Sequence, residues 1–312
     1  MHDSDTTNTP GLHPVPSKAS IIFAFAAIYI VWGSTYLAIR IGVETIPPFL
    51  MAGVRFLVAG SALYCWTRFR GTPPPQRQHW RSAAIVGILL LALGNGCLTW
   101  SEQTIPSGVA ALLGATVPIW VVVINWIWHK GNRPGTRVIA GLSLGFIGAG
   151  ILSGAGTLAG QAGLNPYALL MLLVATLAWA GGTVYSRTAD LPTSPFLATA
   201  MQMLVAGVIL LVVGVIAGEW SEIRVEAISF HSVLAVCYLI LFGSLVGYSA
   251  FIWLLRTVPA ARVATYAYVN PVIALILGWA IAGEELTIKA ALASGIIIAG
   301  VILIVGSRSL RG

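Results

Sequence analysis

Two tryptophans, Trp32 and Trp179, lie deep inside apolar runs, where an indole offers a flat wall and one hydrogen-bond donor. Thr35 and Tyr36 follow the first, and Thr183 follows the second. Asn95 and Trp100 stand in another run, Tyr248 and Trp253 in a fourth. Thr116 and Trp120 flank Pro118, and Tyr266 and Asn270 precede Pro271. Hydroxyls, amides and indoles at this depth suit the binding of a small amphipathic molecule. Tyr266, Asn270 and backbone carbonyls receive an ammonium, while the aromatic faces attract cations and cover an apolar side chain. Two plainer uses stay open: Asn95 can bond one helix to another, and the tryptophans can pack on Gly33, Gly181 and Gly182.

Arg55 stands about two turns into its run, at a cost of about 1–3 kcal/mol for a charge even off-centre. Pairing with Glu102 or Glu44, or reaching the headgroups, is the favoured reading over receiving a substrate carboxylate. Arg40 and Glu44, four apart on one helix face, are expected to pair locally. No Asp, Glu or His lies at mid-depth in any run. A catalytic constellation has nothing to be built from there, so no catalytic residue is assigned. Glu102 and His231, near run ends, are the remaining proton carriers. Cys65, Cys97 and Cys237 are far apart and odd in number, which argues against disulfides and metal sites. No cofactor is implied.

The elements that hold these residues follow from composition. The 312 residues are 57% hydrophobic and 9% charged, with mean hydropathy +0.88, against roughly 25% charged in a soluble protein. That describes a multi-pass, all-α membrane protein whose partner is the lipid bilayer. The net charge of +7 does not point to nucleic acid, because the arginines punctuate apolar runs rather than forming a basic face. Ten runs have the length to cross a membrane: 18–43, 48–68, 82–101, 107–129, 138–155, 166–187, 196–218, 232–255, 262–282 and 288–307. Residues 1–17 read as a disordered cytoplasmic tail. With the N-terminus inside, 13 of the 17 Lys and Arg fall on the cytoplasmic side, leaving Arg40, Arg55, Arg224 and Lys289. That bias predicts both termini in the cytoplasm.

The chain also repeats itself. RFLVAG at 55–60 matches QMLVAG at 202–207, and Trp32 and Arg40 match Trp179 and Arg187, all at an offset of 147 residues. Gly94 and Trp100 match Gly247 and Trp253, and Pro106 and Pro118 match Pro259 and Pro271, at an offset of 153. GFIGAG at 145–150 matches GIIIAG at 295–300. Five helices thus repeat as five, and an odd number inverts the second copy, an arrangement with binding near the midplane where the repeats meet. Pro118 and Pro271 are expected as mid-helix breaks that free the carbonyls of Gly114 and Ala267 and act as hinges. Freed carbonyls are tolerable in hydrocarbon only against protein or a wet cavity.

WGSTYLAIRIG, SGVAALLGATVP and NPVIALILGWAIAGEELT, with GxxxxG in the fifth and tenth helices, resemble the drug/metabolite transporter superfamily, closest to its EamA-type ten-helix exporters. The resemblance covers the chain after the tail and implies two repeats, 18–155 and 166–307. It further implies export of small metabolites from the bacterial cytoplasm without fixing the substrate; the polar and aromatic residues above put amino acids foremost, with alternating access across the inner membrane as the expected mode. Drugs and sugars are the alternative cargo; an intramembrane enzyme or passive channel is the alternative class. The acidic residue of the first helix in small multidrug antiporters of that superfamily is missing from AFAAIYIVWGST. A single chain is the expected unit.

Overall fold

A computed structural model describes residues 17–105, 110, 113–129, 133–152, 165–282 and 288–307, and among them there is no strand. The helices are α1 (Lys18–Val43), α2 (Pro48–Phe69), α3 (Arg77–Ser101), α4 (Val117–His129), α5 (Thr136–Leu152), α6 (Pro166–Tyr185), α7 (Pro195–Ile216), α8 (Phe230–Thr257), α9 (Tyr266–Ala282) and α10 (Ile288–Gly306). Single turns at Glu219–Glu222 and Ala260–Val263 lie between them. Six of the helices, α1, α2, α3, α6, α7 and α8, are long and apolar enough to cross a membrane, and α4, α5 and α10 contain shorter apolar helices. The expectations for the tail and for Pro106 lie outside the described residues.

Helix starts follow local chemistry. Ser17, Asn165, Ser194 and Ser229 each accept a backbone N–H of the first turn of α1, α6, α7 and α8. Pro48, Pro166 and Pro195 open α2, α6 and α7, where the missing donor costs nothing. Glu219 closes the other end of this logic: its carboxylate accepts the N–H of Phe49 (3.2 Å) and of Leu50 (2.9 Å) at the start of α2. Burial pushes the Glu219 carboxyl up, and those two bonds hold it back.

The repeats meet through equivalent contacts. α1 packs on α8 and α9, and α6, its counterpart, packs on α3 and α4; α2 packs on α7, and α5 on α10. Glycines set the closest approaches, as membrane helices need when lipid is as apolar as leucine. Along α2 and α7, Gly53 faces Leu211, Gly60 faces Leu204 and Gly214 faces Leu50. Along α5 and α10, Gly141 faces Ile304 and Gly148 faces Ile297. Numbers rise in one partner as they fall in the other, so these equivalent helices run antiparallel.

The prolines behave differently from the expectation. Pro118 is the second residue of α4, not a mid-helix break: the chain turns at Ala115–Thr116, and the Thr116 carbonyl accepts from Ile119 and Trp120. A proline there gives up a donor the helix never used. Pro271 does lie inside α9. The break in that segment comes earlier, at Ala264–Thr265, between the turn Ala260–Val263 and Tyr266.

Candidate functional site

The middles of α3 and α8 are wound as π-helix, over Ile88–Asn95 and Leu239–Tyr248. At the offset of 153 the two segments coincide, so each repeat carries the same deformation. Such widened turns leave backbone groups imperfectly paired and recur at functional sites. Each also carries a glycine that receives a tryptophan from the other repeat. A methyl on Gly94 would lie 2.7 Å from Trp179 Cε3, and one on Gly247 would lie 2.6 Å from Trp32 Nε1. The two indoles therefore cross between repeats and meet edge to face, centroids 5.5 Å apart. Tyr266 and Phe251 complete the cluster at 4.8 and 5.1 Å from Trp32.

A cavity of about 820 Å³ of empty space, the open solvent at its mouth included, lies against this cluster. α1 lines it with Trp32, Thr35, Tyr36 and Ile39, spaced as one helix face. α6 does the same with Leu172, Thr176 and Trp179, and α3 with Leu91, Asn95 and Leu98. Tyr248 enters from α8, and Tyr266 and Asn270 from α9. Gly114 and Ala267, each four residues before one of the two prolines, both border it. The cavity is lopsided: it climbs to Ile39 and Leu98, while their equivalents in the other repeat, Ser186 and Phe251, are buried outside the lining.

Of the residues singled out from the sequence, Trp32, Thr35, Tyr36, Asn95, Trp179, Tyr248, Tyr266 and Asn270 come together here, with Arg55. Five do not. The Thr183 hydroxyl donates to the Trp179 carbonyl and the Thr116 hydroxyl to that of Leu113, each satisfying itself within its own segment. Trp100 packs, with Leu98, beside Ile105, Ala168 and Leu172, and does not reach the lining. Trp120 and Trp253 pack against the main core. Sequence reasoning passed over the apolar wall of Phe56, Leu91 and Leu172. The signal was present for two of these, as helical spacing from Asn95 and Trp179.

Arg55 differs most from expectation. It is 5% exposed, its Nε donates to Ser244 Oγ at 2.9 Å, and its guanidinium carbon lies 4.9 Å from the Phe56 ring centroid. Gly243 leaves it room, since a methyl there would sit 2.8 Å from Nη2. Among the described residues no carboxylate pairs with it, so pairing with Glu102 or Glu44 is not what holds it. α2 turns Arg55 inward onto α8, which also rules out headgroup contact. Arg40 does not pair with Glu44 either: its Nη1 reaches across to the main-chain carbonyl of Glu102 at 2.8 Å. One further polar atom in the lining, Asn270 Oδ1, an acceptor, is buried without a partner among the described residues.

Comparison with known proteins agrees with this architecture. A model of the EamA-like transporter family matches residues 18–154 and again 166–306. The uncharacterized inner membrane transporter YedA of Escherichia coli (strain K12) is 42% identical over 283 residues, covering 90% of this chain and 89% of its own. The uncharacterized transporter YvbV of Bacillus subtilis (strain 168) is 26% identical over 291 residues, 93% of this chain and 90% of its own. One crystal structure, 19% identical, superposes with a TM-score of 0.74 over 95% of this chain and 99% of that one, and so shares its fold. Two copies of one family match, antiparallel equivalent helices and a cavity where they meet lead to one conclusion: this chain is a multi-pass membrane transporter belonging to the EamA-like transporter family.

Proposed function

We propose that this transporter exports small amphipathic metabolites bearing a carboxylate, α-amino acids with apolar side chains foremost, by alternating access. The observation that carries this reading is Arg55, a cation buried in the cavity wall with no carboxylate beside it among the described residues. A buried charge without a counter-charge is costly, and a substrate that supplies the counter-charge gains what the protein has given up. Packing does not require the charge. The equivalent of Arg55 in the second repeat is Gln202, a neutral residue that accepts from the Tyr248 hydroxyl at 2.7 Å.

The remaining groups fit a zwitterion. Asn270 Oδ1 supplies an acceptor for an ammonium, and the faces of Trp32, Trp179 and Tyr266 supply cation-attracting, apolar surface for the rest. The lopsided cavity supports alternation, since it extends further toward one end of the repeat pair than toward the other. In this reading ten helices cross the membrane with both termini in the cytoplasm, and a single chain, whose two repeats line one cavity, is the working unit.

Counterflow of radiolabelled amino acids in proteoliposomes tests the proposal. Leucine, phenylalanine and related residues should exchange, and their amides, which lack the carboxylate, should not. Exchange of no amino acid at all removes this substrate class; equal exchange of acids and amides removes Arg55 from recognition.

A further inference from the structure

The two repeats make one bond in common. Arg40 Nη1 donates to the main-chain carbonyl of Glu102 at 2.8 Å, and Arg187 Nη1 donates to that of Leu255 at 3.1 Å. Arg40 and Arg187 are equivalent at the offset of 147, and Glu102 and Leu255 at 153. In both repeats the contact is made by a carbonyl, and in the second the side chain at that position is a buried leucine. The clamp therefore needs no carboxyl. The first repeat nevertheless buries one: Glu102 is 1% exposed, and neither carboxyl oxygen has a hydrogen-bond partner among the described residues.

A carboxylate taken out of water without partners costs several kcal/mol, and the group keeps its proton instead. Glu102 follows the last residue of α3, and burial pushes its carboxyl well above the usual range, with Arg40 pulling the other way. The position is tied to the cavity. Asn95, Leu98 and Glu102 lie three and four residues apart on one face of α3, and the first two line the cavity. From α1, Tyr36, itself a lining residue, and Arg40 both lie within electrostatic reach of Glu102. From α2, the charged group is Arg55, which turns to Ser244 instead. α6 meets this end of α3 through the Ser101 hydroxyl and the Ala168 carbonyl, and its nearby ionisable residue, Tyr167, is exposed.

We propose that Glu102 is a protonation site coupled to the cavity, carrying inward one proton for each substrate carried outward. When its end of the cavity opens, the carboxylate meets water beside Arg40 and takes a proton from the outer side. Closure buries it neutral, as in this structure, and the proton leaves into the cavity once that faces the cytoplasm. The proposal rests on the cavity being the transport site and adds the coupling ion to it.

The test uses the full chain in proteoliposomes, with the membrane potential clamped and the amino acid that gives the strongest counterflow. A gradient of one pH unit should drive about tenfold accumulation of substrate by the wild type, as one-to-one exchange dictates. A pH-sensitive dye should record protons moving against substrate. Glu102→Gln should keep counterflow, which needs no net proton movement, and lose the accumulation. Wild-type exchange without proton movement, or full accumulation by E102Q, overturns the proposal. Should no compound exchange, the substrate reading fails, and the site is judged by itself. The infrared difference between wild type and E102Q should then show a protonated carboxyl near neutral pH that is lost on alkalinisation, and absence of that band overturns the assignment. Glu102→Leu, which installs the second repeat's residue, checks folding by its thermal midpoint.

Discussion

Replacing Arg55 by glutamine, the residue its counterpart Gln202 already supplies, separates a cation kept for substrate from one kept for packing. Two stability terms oppose each other. The substitution removes the Nε–Ser244 bond, worth about 1 kcal/mol net and up to about 3 when one partner is charged. It also relieves an off-centre buried charge, worth about 1–3 kcal/mol. The two nearly cancel, so R55Q should keep its thermal midpoint within about 4 °C of wild type, at about 2–4 °C per kcal/mol in a chain of this size or smaller. Transport changes much more. A carboxylate that loses a charge-assisted bond forfeits about 1.5–3 kcal/mol, and each 1.4 kcal/mol is tenfold, so KM for counterflow should rise by about 10- to 150-fold. The assay pairs intrinsic-fluorescence melting in detergent with counterflow kinetics in proteoliposomes. An R55Q protein that melts far below wild type while transporting with unchanged KM would show that the guanidinium holds α2 to α8 and nothing more.

Gly247→Ala should lower stability by about 1–3 kcal/mol and impair transport, because its methyl falls 2.6 Å from Trp32 Nε1 and forces the indole out of place; Gly181→Ala, which meets nothing within 4 Å, is the matched control and should melt no lower than wild type. Glu219→Ala should cost about 1–2 kcal/mol, read as a lower melting temperature, since it leaves the N–H groups of Phe49 and Leu50 at the start of α2 without their acceptor. Asn270→Leu removes an acceptor that has no partner among the described residues. It should leave the melting temperature nearly unchanged while raising KM about tenfold for amino acids and much less for carboxylates that lack an ammonium.

Most of the fold was legible because lipid imposes a simple rule: each crossing must be a long apolar helix, and internal matches reveal themselves as constant offsets. Trp32 and Trp179 were found as a pair for that reason, and the structure brings their rings together. The glycines of α5 and α10 were likewise legible as a match between repeats, and the structure puts Gly148 and Gly300 at close contacts. What failed were statements that depend on which way a side chain turns. Trp100 and Trp253 share the chemistry of the lining residues but are taken up in packing and stay out of the lining. Pro118 had the spacing of a kink, yet the chain had already broken at Ala115–Thr116, which leaves the proline as an ordinary opening residue of α4.

The sequence alone therefore determined the all-helical membrane class, the twofold repetition and the family, because hydropathy, spacing and motif identity are properties of the chain order. Tertiary structure decided the rest. The paired π-segments of α3 and α8 each receive a tryptophan of the opposite repeat, at Gly94 and at Gly247, a contact no local pattern encodes. It also decided that Arg55 stays without a carboxylate among the described residues and that Glu102 is shut away with both oxygens idle. The state of a charge is set by what surrounds it in space, and residues that lie far apart in the chain supply those surroundings.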